Sequence, residues 1–305
     1  MKFTIYQESR IGRRKANQDR LAYCYSRDAL LMVVADGMGG HLYGEVAAHI
    51  SVQFISEAFQ REARPTLDDP AMFMSRALTR AHAAILDYAF DKSLADAPRT
   101  TIVACVVQNG VAYWAHAGDS RLYLLRQGRV EARTRDHSRV QLMMDHGLLT
   151  PADARRHPER NRVYSCLGGS HPPQIEFSKR TPLRDDDVLV LCTDGVWGPL
   201  QDEGLVEGFA GTNVMDAVPK LMTRAEALAG PSCDNLSAIA MCWHDEGIDV
   251  QDDAVSTQTM ALDKFTTQLE TFERTRAPAG SYEISDDEIE RAISEINQAI
   301  QKFSK

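Results

Sequence analysis

Five aspartates stand at the ends of apolar, strand-like runs. LLMVVA leads into Asp36-Gly37, VLVLCT into Asp194-Gly195, and VAYWAHAG into Asp119. Asp19 of NQD immediately precedes RLAYCY, and Asp234 of CDN lies just before LSAIAMCW. A carboxylate in such a place is costly to bury unless something pairs with it. Each one alone fits ordinary turn chemistry, since Asp-Gly and Asp-Asn favour turns. Five gathered in one cleft would repel one another and titrate upward unless cations neutralised them. An all-oxygen donor set suits Mg²⁺ or Mn²⁺, not zinc. Two such ions roughly 3.5–4 Å apart can activate a water between them and neutralise charge in an in-line displacement at phosphorus. Gly37, Gly39, Gly40 and Gly44 follow Asp36 closely and let backbone come near a ligand.

The elements that must position these acids are legible in outline. FTIY, RLAYCY and ALLMVVA read as strands. GEVAAHISVQFISEAFQ reads as a helix, and a second runs from about Pro70 to Asp91. TTIVACVVQ and VAYWAHAG flank Asn109-Gly110, a strong hairpin signal, and RLYLLRQGRVEA turns near Gln127-Gly128. From Asp136 to about Ser170 the pattern is polar, with Pro151 and Pro158, and predicts loops and short helices. QIEFSKR and DDDVLVLCTD restore strands, two helices are expected between Asp202 and Gly230, and LSAIAMCW closes the body. The long helices come as two consecutive pairs. That predicts a layered α+β domain with helices outside a sheet or sandwich.

RRKANQD, VVADGMGGHLYGE, AGDSRLYLLRQG, DHS, CLGG, LCTDG and CDNLSAIA occur in the order found in the metal-dependent serine/threonine protein phosphatases of the PPM, or type 2C, family. Over roughly residues 3–243 the chain resembles the bacterial branch of that family. The resemblance implies a four-layer αββα sandwich: two antiparallel sheets flanked by helices, with a dinuclear metal site in the cleft between them. It implies hydrolysis of phosphoserine and phosphothreonine in proteins by a water or hydroxide activated at two Mn²⁺ or Mg²⁺ ions. By the same analogy Asp36 bridges both ions, the Gly37 carbonyl ligates one, and Asp194 and Asp234 ligate the other. Asp19 reaches the metal shell through water, and Asp119 shares a weaker third ion with Asp194. Arg14 matches the arginine that holds the substrate phosphate, a role suited to a guanidinium fork; Arg13 is the neighbouring alternative, and a solvated basic run is the plain one. Many animal members carry a histidine just after the Asp-Gly pair, where this chain has Met38, so the leaving-group proton needs another source. His41 and His137 are expected to be structural. Residues 145–170 correspond to the family's flap, where Arg155, Arg156, Arg160 and Arg162 either meet phosphorylated substrates or face solvent. The partners implied are phosphorylated Ser/Thr proteins and a Hanks-type Ser/Thr kinase with its targets.

Bulk composition agrees with an enzyme of this kind and argues against other classes. The chain has 305 residues, 44% of them hydrophobic and 25% charged. No apolar run reaches membrane-spanning length, and the start MKFTIYQESRIGRRK lacks a signal-peptide core, so a cytoplasmic protein is expected. Six scattered cysteines without a CxxC pair fit buried thiols. No Cys precedes an Arg by five residues, which removes the cysteine-phosphatase reading, and no GxxxxGK[ST] supports a P-loop ATPase. A degenerate phosphatase fold that only binds phosphoproteins is the rival reading. The net charge is -9, yet residues 245–305 hold 14 acids against 6 bases. The body is therefore near neutral, which disfavours nucleic-acid binding. We divide the chain into a phosphatase domain over 1–244, an acidic and polar linker over 245–281, and an amphipathic helix over 282–305. That last segment opens with a capping box, Ser285 to Glu288, and carries a stripe of Ile289, Ile293, Ile296, Ile300 and Phe303. The stripe is suited to docking on its own domain, on a partner or on a second copy.

Overall fold

The apolar runs become the interiors of two antiparallel sheets in a computed structural model that describes residues 1–38, 43–244 and a strand at 266–269. In chain order these are β1 (Lys2–Arg10), β2 (Asp19–Tyr25), β3 (Ala29–Asp36), α1 (Gly44–Glu62), α2 (Pro70–Asp91), β4 (Ile102–Gln108) and β5 (Val111–Ala117). Then follow β6 (Arg121–Arg126), β7 (Arg129–Arg133), α3 (Arg139–Asp145), α4 (Pro151–Ala154), β8 (Glu176–Phe177) and β9 (Thr181–Pro182). The last are β10 (Val188–Cys192), α5 (Asp194–Phe209), α6 (Val214–Ala229), β11 (Leu236–His244) and β12 (Thr266–Leu269).

One sheet runs β1-β11-β10-β6-β7; the other runs β12-β2-β3-β4-β5-β8, with β9 also on β5. β3 is buried at every position before Asp36 and β4 is buried throughout, as continuous apolar runs in central strands must be. Three apolar layers follow from this order. Leu30, Met32, Val34, Leu122, Leu189, Ile239 and Met241 fill the space between the sheets. Leu31, Val33, Ile55, Phe59, Phe73 and Ile85 pack α1 and α2 on the β3 sheet. Val190, Cys192, Leu205, Val218, Leu221 and Met222 pack α5 and α6 on the other. This is the expected αββα sandwich.

Both expected hairpins have left-handed backbone at two successive residues, φ 53° and 69° at Asn109-Gly110 and 50° and 70° at Gln127-Gly128. That is the turn whose twist matches paired strands.

Three expectations need correction. The helix predicted to begin near Asp202 starts eight residues earlier, at Asp194, which follows extended Thr193 and suits the positive end of the helix dipole. A kink at Gln201, φ 59°, interrupts α5 inside this span. QIEFSKR supplies only the two-residue β8, because an exposed outer strand offers little apolar burial. Within the stretch read as linker, Thr266–Leu269 pairs antiparallel with β2. The remainder of 245–305, including the helix expected over 282–305, lies outside the described residues, as do Gly39, Gly40 and His41.

All six cysteines are free, and four are buried. Among the described residues no helix is long and apolar enough to cross a membrane.

Candidate metal centre

The β2–β3 pairing places Asp19, the first residue of one strand, directly opposite Asp36, the last of the other. Asp194 enters from the β10–α5 junction and Asp234 from the turn before β11. Asp119 lies in the β5–β6 turn. The five acids therefore converge from five points of the fold, and they feel one another. Burial pushes the Asp36 carboxyl well above the usual carboxylate range, with repulsion from Asp19, Asp194, Asp119 and Asp234 added. Burial lifts Asp19 to about 7, opposed by hydrogen bonds from Ser237 and Thr193 and reinforced by Asp194 and Asp234. Asp194 rises to about 6, mainly through burial and the charge of Asp234. Asp119 is driven well up by burial, Asp194 and Asp136. Such a cluster is held at a cost that a cation removes.

The geometry fits that cation. Thr193 Oγ1 donates to Asp19 Oδ2 at 2.9 Å, while Asp19 Oδ1 is buried without a hydrogen-bond partner. A buried carboxylate oxygen left bare is a rare feature that a positive ion would explain. Gly37 is pinched between α1 and the chain before β2: a Cβ there would lie 2.5 Å from the Gly44 carbonyl and 2.7 Å from that of Gln18. Only glycine allows backbone this close. The donors are all oxygens, which is the preference of Mn²⁺ and Mg²⁺. Glu45 sits in the first turn of α1 and accepts from Gln18 Nε2 at 3.1 Å, outside the acidic cluster.

Arg14 lies at the rim with its fork closed on one of the acids. Its Nε donates to Asp234 Oδ1 at 2.7 Å and its Nη2 to Oδ2 at 2.6 Å. Its side chain is 56% exposed. Those hydrogen bonds and the charge of Asp234 raise its pKa, and Asp194 and Asp36 contribute further. Arg13 is exposed, and its backbone N–H donates to the Cys233 carbonyl. In the flap, Arg162 pairs with Glu159 at 2.7 Å and Arg155 Nε caps the Pro151 carbonyl at 3.1 Å. Arg155, Arg156 and Arg160 are exposed.

Several supporting residues escaped the sequence reading. Asn235 accepts from the Gln18 amide and donates to the Ile11 and Ala16 carbonyls, so it ties the chain before Asp19 to the Asp234 turn. Arg121 forms a bidentate pair with Asp136 at 2.7 and 2.8 Å and stacks 3.4 Å over Trp197, whose indole N–H donates to the Asp119 carbonyl. The adjacency of Asn235 to Asp234, and the Arg and Asp of GDSR and DHS, were the available signals. The backbone N–H of His137 donates to the Gly118 carbonyl at 2.8 Å, which ties the segment after β7 to the β5–β6 turn.

Known proteins are similar to this chain in sequence and in fold. The Protein phosphatase 2C family model matches residues 6–227. The serine/threonine protein phosphatase PstP of Mycobacterium tuberculosis is 31% identical over 225 residues, which is 74% of this chain and 42% of PstP. The chain thus spans less than half the length of that relative. The protein phosphatase PhpP of Streptococcus pneumoniae is 30% identical over 185 residues, 60% of this chain and 74% of PhpP. The solved structure of M. tuberculosis PstP/Ppp superposes with a TM-score of 0.69 at 29% identity, covering 80% of this chain and 100% of that one. A structure of the PstP catalytic domain with two manganese ions gives 0.68 at 27%, covering 80% and 99%. Ordered motifs, layered sheets, a buried cluster of aspartates and the family match over residues 6–227 lead to one conclusion: the chain belongs to the protein phosphatase 2C family.

Proposed function

We propose that this chain removes phosphate from phosphoserine and phosphothreonine in proteins, and that it opposes a Hanks-type Ser/Thr kinase in the cytoplasm. The observation that carries the reading is the convergence of five aspartates on one cleft, with Asp19 Oδ1 buried and unpaired among them. Asp36, the Gly37 carbonyl, Asp194 and Asp234 would hold two Mn²⁺ or Mg²⁺ ions. Asp19 supports that shell, and Asp119 with Asp194 offers a weaker third position. Bound there, the cations supply Lewis acidity and an activated water for attack at phosphorus. The chain's own groups orient the substrate. Arg14, already at the rim, presents a planar fork to the phosphate oxygens once it shares or leaves Asp234. Met38 has no proton to give, so protonation of the departing serine or threonine falls to water in the cleft. The exposed flap arginines, Arg155, Arg156 and Arg160, would offer positive charge to a phosphorylated segment.

Phosphate release from a phosphothreonine peptide, followed by malachite green with Mn²⁺, with Mg²⁺ and with EDTA, tests the activity. Turnover should require the cation. A protein that binds Mn²⁺ by calorimetry yet releases no phosphate would instead be a phosphoprotein-binding member of the fold. Phosphoproteomics with and without the active protein tests the kinase context: the sites that change should be Ser and Thr.

A further inference from the structure

Away from the aspartates, the described residues contain a cluster rich in nitrogen donors. His116, on β5, and Glu176, on β8, are direct cross-strand partners. His137 comes from the segment after β7 in the opposite sheet, and its ring centroid is 4.6 Å from that of His116. The ligand atoms of all three residues lie within 4.8 Å of one another. The two rings are almost fully buried, and Glu176 is half-exposed.

The hydrogen bonds define what His116 offers. Its Nε2 lies 2.7 Å from the Arg135 carbonyl oxygen, which can only accept, so the proton sits on Nε2. Nδ1 is then a bare lone pair, and it is buried without any partner. Folded proteins rarely leave such an atom unsatisfied. A ring N–H held by a backbone carbonyl, with the other nitrogen free, is the outer-shell arrangement of a metal-bound histidine. Burial lowers the pKa of both histidines, and the charge of His116 lowers that of His137 further. The neutral form is the ligand form.

We propose that His116 Nδ1, His137 Nε2 and the Glu176 carboxylate form a regulatory zinc site, separate from the all-oxygen aspartate centre. Two imidazoles and one carboxylate suit Zn²⁺ and not Mg²⁺. Glu176, half-exposed on an outer strand, gives the ion a route from solvent. Occupancy reaches the catalytic side through His137. Its Nδ1 accepts from the Gly118 N–H at 3.3 Å, next to Asp119. A metal on Nε2 puts the proton on Nδ1, and the Gly118 N–H then faces a donor. Zinc therefore loosens the turn that carries Asp119, and the site is inhibitory.

The test uses the full chain carrying Asp36→Asn, which weakens the aspartate centre, in excess Mg²⁺. Calorimetry should find one Zn²⁺ per chain, and Co²⁺ should give ligand-field absorption in the visible. Adding Glu176→Gln should weaken binding by at least about tenfold, with unchanged circular dichroism. In the Mn²⁺-loaded protein with native Asp36, Glu176→Gln should raise the zinc concentration needed for inhibition by a similar factor. No zinc bound under excess Mg²⁺, or equal zinc affinity with and without Glu176→Gln, overturns the proposal. The binding measurements are made on a protein that need not turn over, so their failure is distinct from failure of the phosphatase reading.

Discussion

At the scale of single residues, charge decides what the cleft can do. Asp36 and Asp194 are placed by different elements yet lie in one field. Asp36→Asn and Asp194→Asn should each lower Mn²⁺-dependent phosphate release by at least about 100-fold, since disturbing even the outer shell of a metal site costs about 10–100-fold. Near-native turnover at saturating Mn²⁺, with circular dichroism unchanged, would remove that residue from the metal set. Arg14→Ala should lower kcat/KM by roughly 10–100-fold, the worth of a charged hydrogen bond. Arg14→Lys should rescue little, because the fork is lost. The raised carboxyl pKa values predict a pH dependence. With folded values of about 7 at Asp19 and about 6 at Asp194, the metal-free folded protein binds more protons than the unfolded chain above pH 4. Its stability from these groups therefore falls as pH rises through 6 to 7. Buried histidines such as His49, lowered to about 4, act in the opposite direction below their ordinary 6.5. The clean readout is the Mn²⁺-induced rise in melting temperature, which should be larger at pH 8 than at pH 6. Equal shifts at the two pH values would count against carboxylates as the ligands.

At the scale of elements, junctions place the acids. Asp194 opens α5, and Gly195 behind it has no room for a side chain: a Cβ would lie 2.0 Å from the Asn235 carbonyl oxygen. Gly195→Ala must push the β10–α5 junction away from the turn that carries Asp234. Overpacking of this kind costs about 1–3 kcal/mol, visible as a lower urea midpoint, and Mn²⁺ affinity should fall with it. A variant with unchanged midpoint and affinity would show that the junction yields without moving Asp194. The sequence signals for these elements were uneven. VLVLC announced β10 plainly, but the α5 start was hidden because TDG reads equally as a turn. Only the tertiary contacts of Thr193, whose hydroxyl donates to Asp19 and accepts from the Ser237 amide, resolve that ambiguity.

At the scale of the whole molecule, the domain and the acidic tail separate in charge, and β12 joins them along the β2 edge. Truncation after Leu269 should leave phosphothreonine-peptide hydrolysis within about twofold of the full chain, since every candidate ligand lies before it. Truncation after His244 also uncovers β2, and an unpaired strand edge promotes association. The longer deletion should therefore show oligomers by light scattering, and the shorter should not. Loss of turnover in the shorter truncation would place the 270–305 segment in the working enzyme. Sequence alone determined the strand-end aspartates, both hairpin turns and the two helix pairs that imply outer layers. Those are local or periodic features, readable within a dozen residues. Tertiary structure alone decided that Asp19 faces Asp36, that Arg14 reaches Asp234 across 220 positions, and that His116 meets His137 between sheets. Strand register and sheet-on-sheet packing set those distances, and neither is written in any single stretch of the chain.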